Sequence, residues 1–149
     1  MTTPISPPPQ WSRRRQEKQR RLERVRGLAD GAVLPRERLV AALEALIAPG
    51  DRVVLEGNNQ KQADFLSRSL ARVDPGKLHD LHMIMPSVGR PEHLDLFELG
   101  IARKLDFSFS GPQSLRIGQL LEDGLLEIGA IHTYIELYAR LVVDLIPNV

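Results

Sequence analysis

Cysteine is absent from the 149-residue chain, which removes disulfides, thiolate nucleophiles and cysteine-based zinc or iron–sulfur sites together. A reducing, cytoplasmic setting is the natural expectation. No apolar run approaches the ~20 residues that span a bilayer, and the N-terminal arginines precede no apolar stretch of the kind found in secretory signals. Aromatic residues are few, and the single Trp11 stands at the edge of the most basic segment, so no aromatic ladder is available to stack bases. G-x-G-x-x-G, P-loop and G-x-S-x-G patterns are missing, and no paired carboxylates stand out. His79, His82 and His93 lack the spacing and the carboxylate companions of a metal site, so no metal is expected.

What the chain does have is an ordinary globular balance, 42% hydrophobic and 26% charged, and a length that can bury a real core. Its net charge of +1 conceals an asymmetry. Between Arg13 and Arg26 eight Lys/Arg oppose only Glu17 and Glu23, a local +6, while the remaining 12 basic and 17 acidic residues leave −5. Such an arm is a nucleic-acid or membrane footprint or a solvated helix lying on a partner or on its own acidic domain.

Residues 1–33 read as a leader and arm. Pro4, Pro7, Pro8 and Pro9 make residues 1–10 extended, and Ser12 to Arg26 is a helix with only Leu22 and Val25 to bury. Residues 34–149 read as the first part of an α/β domain. Leu39, Val40, Leu43, Leu46 and Ile47 mark an amphipathic helix over 36–48, ended by Pro49-Gly50. Arg52 to Glu56 is a short buried strand feeding Gly57, and Lys61 to Val73 is a helix with Ala63, Leu66, Leu70 and Val73 inward. Leu81 to Met85 is a second strand, ended by Pro86, and this strand–helix–strand order favours a parallel right-handed crossover. A helix over 91–100 leads to a strand in which Leu105, Phe107 and Phe109 face inward and Asp106 and Ser108 outward. A helix over 113–122, a strand over 125–128 and a strongly amphipathic last helix from Ile131 to Ile146 complete an open, mainly parallel sheet with flanking helices. The wide apolar face of that last helix, followed by Pro147-Asn148-Val149, suggests a turn into a further strand. The polypeptide is therefore expected to continue or to be stabilised by another chain, against the alternative of a small intact domain with a docked terminal helix.

Three turns invite chemistry. Gly57-Asn58-Asn59-Gln60 lies between a strand end and a helix start, where backbone amides attract anions or oxyanions and a glycine permits close approach. Its side-chain amides suit a carbonyl or carboxylate, although Gly-Asn-Asn is also an ordinary turn. Gly111 and Gln113, in Ser110-Gly111-Pro112-Gln113-Ser114, occupy the corresponding turn after a later strand and are candidates for the same crevice, or simply a rigid turn. His132, after the fourth strand, is placed to polarise a carbonyl as a neutral imidazole, or to cap or pack.

The run Val54-Leu55-Glu56-Gly57-Asn58-Asn59-Gln60-Lys61-Gln62-Ala63-Asp64-Phe65-Leu66, together with Asp80-Leu81-His82-Met83 and Gly129-Ala130-Ile131-His132-Thr133-Tyr134-Ile135-Glu136-Leu137-Tyr138, resembles the α subunit of bacterial biotin-independent malonate decarboxylase. The resemblance extends from about Trp11 to the last residue. It implies a coenzyme A transferase-like fold, related to the citrate lyase α subunit, of which this chain is the first half. The activity it implies is exchange of acetate for malonate on a carrier-protein thioester. The thiol belongs to a phosphoribosyl-dephospho-coenzyme A arm of the acyl carrier protein, so no cofactor is expected on the chain itself. Implied partners are the carrier, the decarboxylase subunits, malonate and acetate, with a homo-oligomer also open. On that resemblance Gly57, Asn58 and Asn59 become oxyanion or thioester contacts, with His132 a second catalytic candidate and Gln60, Gly111 and Gln113 candidates for the arm. The family's chains are several times longer and place their site between two similar halves, so the glutamate nucleophile of many coenzyme A transferases is not assigned to Glu56 or Glu136. The rival expectation is a non-catalytic assembly module that docks other subunits through the basic arm and the last helix.

Overall fold

A computed structural model of the chain describes residues 9–56, 64–133, 135–137 and 139, with side chains described from Arg13 onward. The proline-rich residues 1–8, the turn at 57–60 with the start of its helix, and most of the last helix lie outside the described residues. The basic arm is one long helix, α1 (Pro9–Arg26). Pro9 corrects the expectation of an extended start through Gln10. Proline is tolerated in the first turn, where its missing N–H has no intrahelical acceptor and its fixed φ suits the helix.

Four strands, β1 (Arg52–Val54), β2 (Leu81–Ser87), β3 (Ala102–Phe109) and β4 (Glu127–Ile131), form an all-parallel sheet in the order β1-β2-β3-β4. The intervening helices are α3 (Asp64–Leu70), α4 (Glu92–Glu98) and α5 (Ser114–Glu122), with α2 (Leu39–Leu46) preceding β1. A sheet whose strands advance in chain order with right-handed crossovers receives all its connecting helices on one face. The core agrees with this. Val53, Leu81, Met83, Met85, Leu105 and Phe107 point into a single apolar cluster with Leu70, Leu94, Phe97, Ile117 and Leu120, and Val40, Leu43 and Leu46 of α2 pack against it. Ile84, though 1% exposed, belongs to the opposite face and lies outside that cluster.

Several boundaries move for identifiable reasons. β2 runs through Pro86 rather than stopping at it. The His82 N–H donates to Asp51 O at 3.0 Å and Ile84 O accepts from Leu55 N at 3.1 Å, so the even positions bond toward β1. The donor missing from Pro86 falls where that ladder has ended, a tolerated place for proline. β4 begins at Glu127 rather than Leu125 because Leu125 and Leu126 both donate to Leu120 O, at 2.9 and 3.1 Å, and close the end of α5. Gly124, at φ +69°, supplies the left-handed residue this cap needs. On α3 the inward positions are Ser67, Ser69 and Leu70, with Val73 just beyond, whereas Leu66 is 45% exposed. β3 is not one-faced. Asp106, expected outward, is 6% exposed.

Candidate active site at the carboxyl edge of the sheet

Because all four strands are parallel, their carboxyl ends share one edge of the sheet, the edge at which open α/β sheets bind ligands. Leu55 still pairs with β2 through its 3.1 Å bond to Ile84 O, and Gly57 lies two residues further along the sequence. Gly57, Asn58, Asn59 and Gln60 themselves lie outside the described residues. The second turn leaves β3 beside the end of β2, where Ser87 is in register with Phe109 and Val88 N–H donates to Phe109 O at 2.8 Å. Gly111 adopts φ +50°, and a Cβ there would stand 2.9 Å from Phe109 Cε1, so both backbone and space require glycine. Gln113 closes the short 3₁₀ turn Gly111–Gln113 by donating its N–H to Ser110 O at 3.0 Å. The hydroxyls of Ser110 and Ser114 lie 2.7 Å apart, and Ser114 Oγ donates to Gly111 O at 2.8 Å.

His132 follows the last residue of β4 rather than opening a helix. Its N–H extends the ladder by donating to Phe107 O at 2.9 Å. The helix start is one residue later. Thr133 Oγ1 and N–H both donate to Glu136 Oε2, at 2.9 and 3.0 Å, and Glu136 N–H donates back to Thr133 Oγ1 at 3.3 Å. This reciprocal capping box was legible as T-x-x-E. It holds the Glu136 carboxyl below its usual value through the backbone and hydroxyl donors of Thr133.

The side chain of His132 meets a group absent from the sequence-based candidates. On the face of the sheet opposite the core, Asp106 Oδ1 lies 2.9 Å from His82 Nε2 and Asp106 Oδ2 lies 4.0 Å from His132 Nε2. Burial alone drives the Asp106 carboxyl upward. The His82 contact and charge, the His132 charge and a hydrogen bond from the Ala130 backbone outweigh it and leave the carboxyl below its ordinary value. Asp106 is thus a buried carboxylate kept ionised beside the His82 and His132 rings. His82 is in register with Lys104 and Ile84 with Asp106, so the pair is a diagonal cross-strand contact. The signal available in sequence was a polar i, i+2 set, Lys104 and Asp106, on a strand neighbouring one that carries His82.

Among the described residues no group of three or more His, Asp or Glu side chains is disposed to hold a metal ion. No helix among them is long and apolar enough to cross a membrane.

Comparison with known proteins gives this edge its context. The profile of the family described as malonate decarboxylase, alpha subunit, transporter matches residues 10–149. An acetyl-S-ACP:malonate ACP transferase of Malonomonas rubra is 52% identical over 121 residues, covering 81% of this chain and 22% of that protein. A chain in the crystal structure of a Pseudomonas malonate decarboxylase hetero-tetramer in complex with malonate is 99% identical and superposes with a TM-score of 0.88 over 95% of this chain and 26% of its own. The malonate decarboxylase alpha subunit of Acinetobacter baumannii is 74% identical, with a TM-score of 0.88 over 92% of this chain and 25% of its own. The chain thus spans about a quarter of the length of the relatives it matches. With the profile spanning residues 10–149 and the fold shared, the chain belongs to the malonate decarboxylase alpha-subunit family.

Proposed function

We propose that this chain supplies the first α/β part of a transferase subunit that exchanges acetate for malonate on an acyl carrier protein, within a malonate decarboxylase complex. The observation that carries the reading is the 52% identity to an acetyl-S-ACP:malonate ACP transferase. In the proposed reaction a malonate carboxylate oxygen attacks the acetyl thioester carbonyl and the carrier thiolate leaves, giving a mixed anhydride. The thiolate then attacks the malonyl carbonyl and expels acetate, so the thioester bond is conserved and no oxidant or reductant is required. The carrier thiol is taken to be that of its phosphoribosyl-dephospho-coenzyme A arm. Both acyl groups must be held together, and the negative charge on the tetrahedral oxygen must meet preformed donors.

Gly57, Asn58 and Asn59 are proposed as those donors. Support comes from their position in the sequence three to five residues after β1, whose carboxyl end lies on the edge shared by all four parallel strands. Gln60, Gly111 and Gln113 are proposed contacts of the carrier arm, and His132, beside Asp106, a group that polarises an acyl carbonyl. The test is Asn58→Ala with Asn59→Ala in the complete subunit, in its assembled complex. Acetyl-to-malonyl exchange should fall about 10²-fold or more, the loss typical of removing an oxyanion donor, while assembly is unchanged. Exchange at the unmodified rate would remove these residues from the reaction.

A further inference from the structure

The basic helix α1 is fixed to the rest of the chain by a polar anchor instead of an apolar stripe. Of its apolar residues in the described part, Leu22 is 46% exposed and Val25 half-buried. Arg21 is buried instead. Its Nη2 lies 3.2 Å from Asp51 Oδ1 and 2.7 Å from Glu17 Oε1, its Nη1 contacts Asp51 Oδ2, and Nη1 also reaches Leu46 O at 3.4 Å. Asp51 is itself held by the Ala48 N–H at 2.8 Å. This multidentate contact fixes the rotation of α1 about its own axis, and the rotation decides which arginines face outward together. Arg13, Gln16, Arg20 and Arg24 line one groove, about 790 Å³ in volume, that ends at Ala48. Glu17, the carboxylate in its lining, is already paired with Arg21.

We infer that this groove is the docking surface for an acidic helix of the acyl carrier protein, an inference that rests on the transferase reading above. From Arg13 to Arg24 the helix rises about 16 Å, too far for one phosphate to engage and matched by carboxylates on successive turns of a facing helix. Guanidinium forks take such carboxylates bidentately. A carrier has to arrive, present its thioester and leave. Exposed charges serve that cycle, because they speed encounter without slowing release as an apolar interface does. Other occupants fit less well. Among the described residues the groove is lined by no aromatic side chain on which bases could stack, and of those residues Leu22 and Val25 are too small an apolar face to enter a bilayer surface.

The experiment uses the complete subunit in its assembled complex, with Arg13, Arg20 and Arg24 changed together to Glu, and in a second variant to Lys. Exchange is followed with the acetylated carrier protein as the varied substrate at several salt concentrations, and in parallel with acetyl-N-acetylcysteamine, a small thioester without a protein. The glutamate variant is expected to raise KM for the carrier about tenfold or more at low salt, an effect that shrinks as salt screens the charges. It should change exchange on the small thioester by less than about twofold, and the lysine variant should stay near the parent. An unchanged carrier KM overturns the inference and leaves the transferase reading intact. Dissociation of the complex, or acquired sensitivity to added DNA or anionic vesicles in the parent alone, assigns the groove to another occupant and also overturns it. Absence of exchange in the parent complex overturns the transferase reading instead.

Discussion

Gly129 is the position at which a single methyl group should do most damage. A Cβ built there lies 2.0 Å from Asp106 Oδ1, 2.8 Å from Lys104 Cε and 3.1 Å from His82 Nε2. The lysine carbon belongs to a flexible side chain and can move away at little cost. The carboxylate oxygen cannot. To restore van der Waals separation it must retreat by about 1.5 Å, which takes it out of its 2.9 Å contact with His82 while it stays buried. Overpacking of a filled site costs about 1–3 kcal/mol, and depriving a buried charge of its partner costs about 3–5 kcal/mol. These overlap, since one movement produces both, and Gly129→Ala is expected to destabilise the β3–β4 unit by about 3 kcal/mol. Hydrogen exchange of peptides spanning 102–109 and 127–132, measured on the complete subunit, reads that unit directly. The control is Gly118→Ala in α5, where an added Cβ meets nothing within 4 Å and removal of a mid-helix glycine should stabilise by about 0.5–1 kcal/mol. The double variant Asp106→Ala/Gly129→Ala should be less destabilised than the sum of its parts. Unaltered β3–β4 protection in Gly129→Ala would refute the crowding account.

Acidification should remove stability in two separate windows. His93 is fully buried on α4, and burial depresses its pKa from 6.5, so its neutral form stabilises the fold above pH 6.5 and that contribution is lost as pH falls below it. Asp106 is depressed from 3.8, so its contribution is complete above pH 3.8 and disappears below that value; denaturation midpoints against pH should show both steps, and His93→Leu should erase only the upper one. Neither ring nitrogen of His93 has a hydrogen-bond partner among the described residues, so His93→Leu should also raise stability at pH 7 by about 1 kcal/mol, checked by urea denaturation. Arg21→Ala leaves Asp51 buried with only its Ala48 contact and should free α1; trypsin is expected to cut between residues 13 and 26 far faster than in the parent, and unchanged cleavage would show that another contact holds the helix.

The apolar alternation and the turn residues carried most of the architecture. Leu105 and Phe107 reached the core as their alternation implied, whereas Phe109, assigned to the same face, is 63% exposed at the end of β3; Val53 and Met83, read as strand without a period, also lie in the core. What escaped the sequence was set by partners outside each segment's own pattern. Leu125 and Leu126 have strand composition, but the carbonyl of Leu120 claims both of their N–H groups. Pro86 looked terminal because its missing donor matters only where a neighbour continues the ladder, and the β1–β2 register ends at Val54 and Ile84. Asp106 has the alternation of an outward residue, yet His82 and the backbone around Gly129 close over it. At the site, the strand-to-turn placement of Gly111 and the position of His132 after a strand were both visible, while the carboxylate beside His132 was not. Local patterns report which way a side chain points, not what stands above it.

The position of His132 depends on one extra residue. Between β3 and β4 the register runs Leu105 to Ile128 and then Asp106 to Ala130, so Gly129 is a bulge with no partner of its own. Beyond it Phe107 is opposite Ile131, and the next residue, His132, shares the face of Ser108 and Asp106. Without the bulge Asp106 would face Gly129, Phe107 would face Ala130, and His132 would lie opposite Phe109, on the face of Leu105 and Phe107. A one-residue slip exchanges the two faces of a strand. The bulge therefore carries the imidazole from the apolar core face to the face that holds the Asp106 carboxylate. Glycine is required there because the same carboxylate occupies the space a side chain would need. Gly129, Asp106 and His132 thus form one arrangement, in which the residue that shifts the register also makes room for the group the shifted histidine meets.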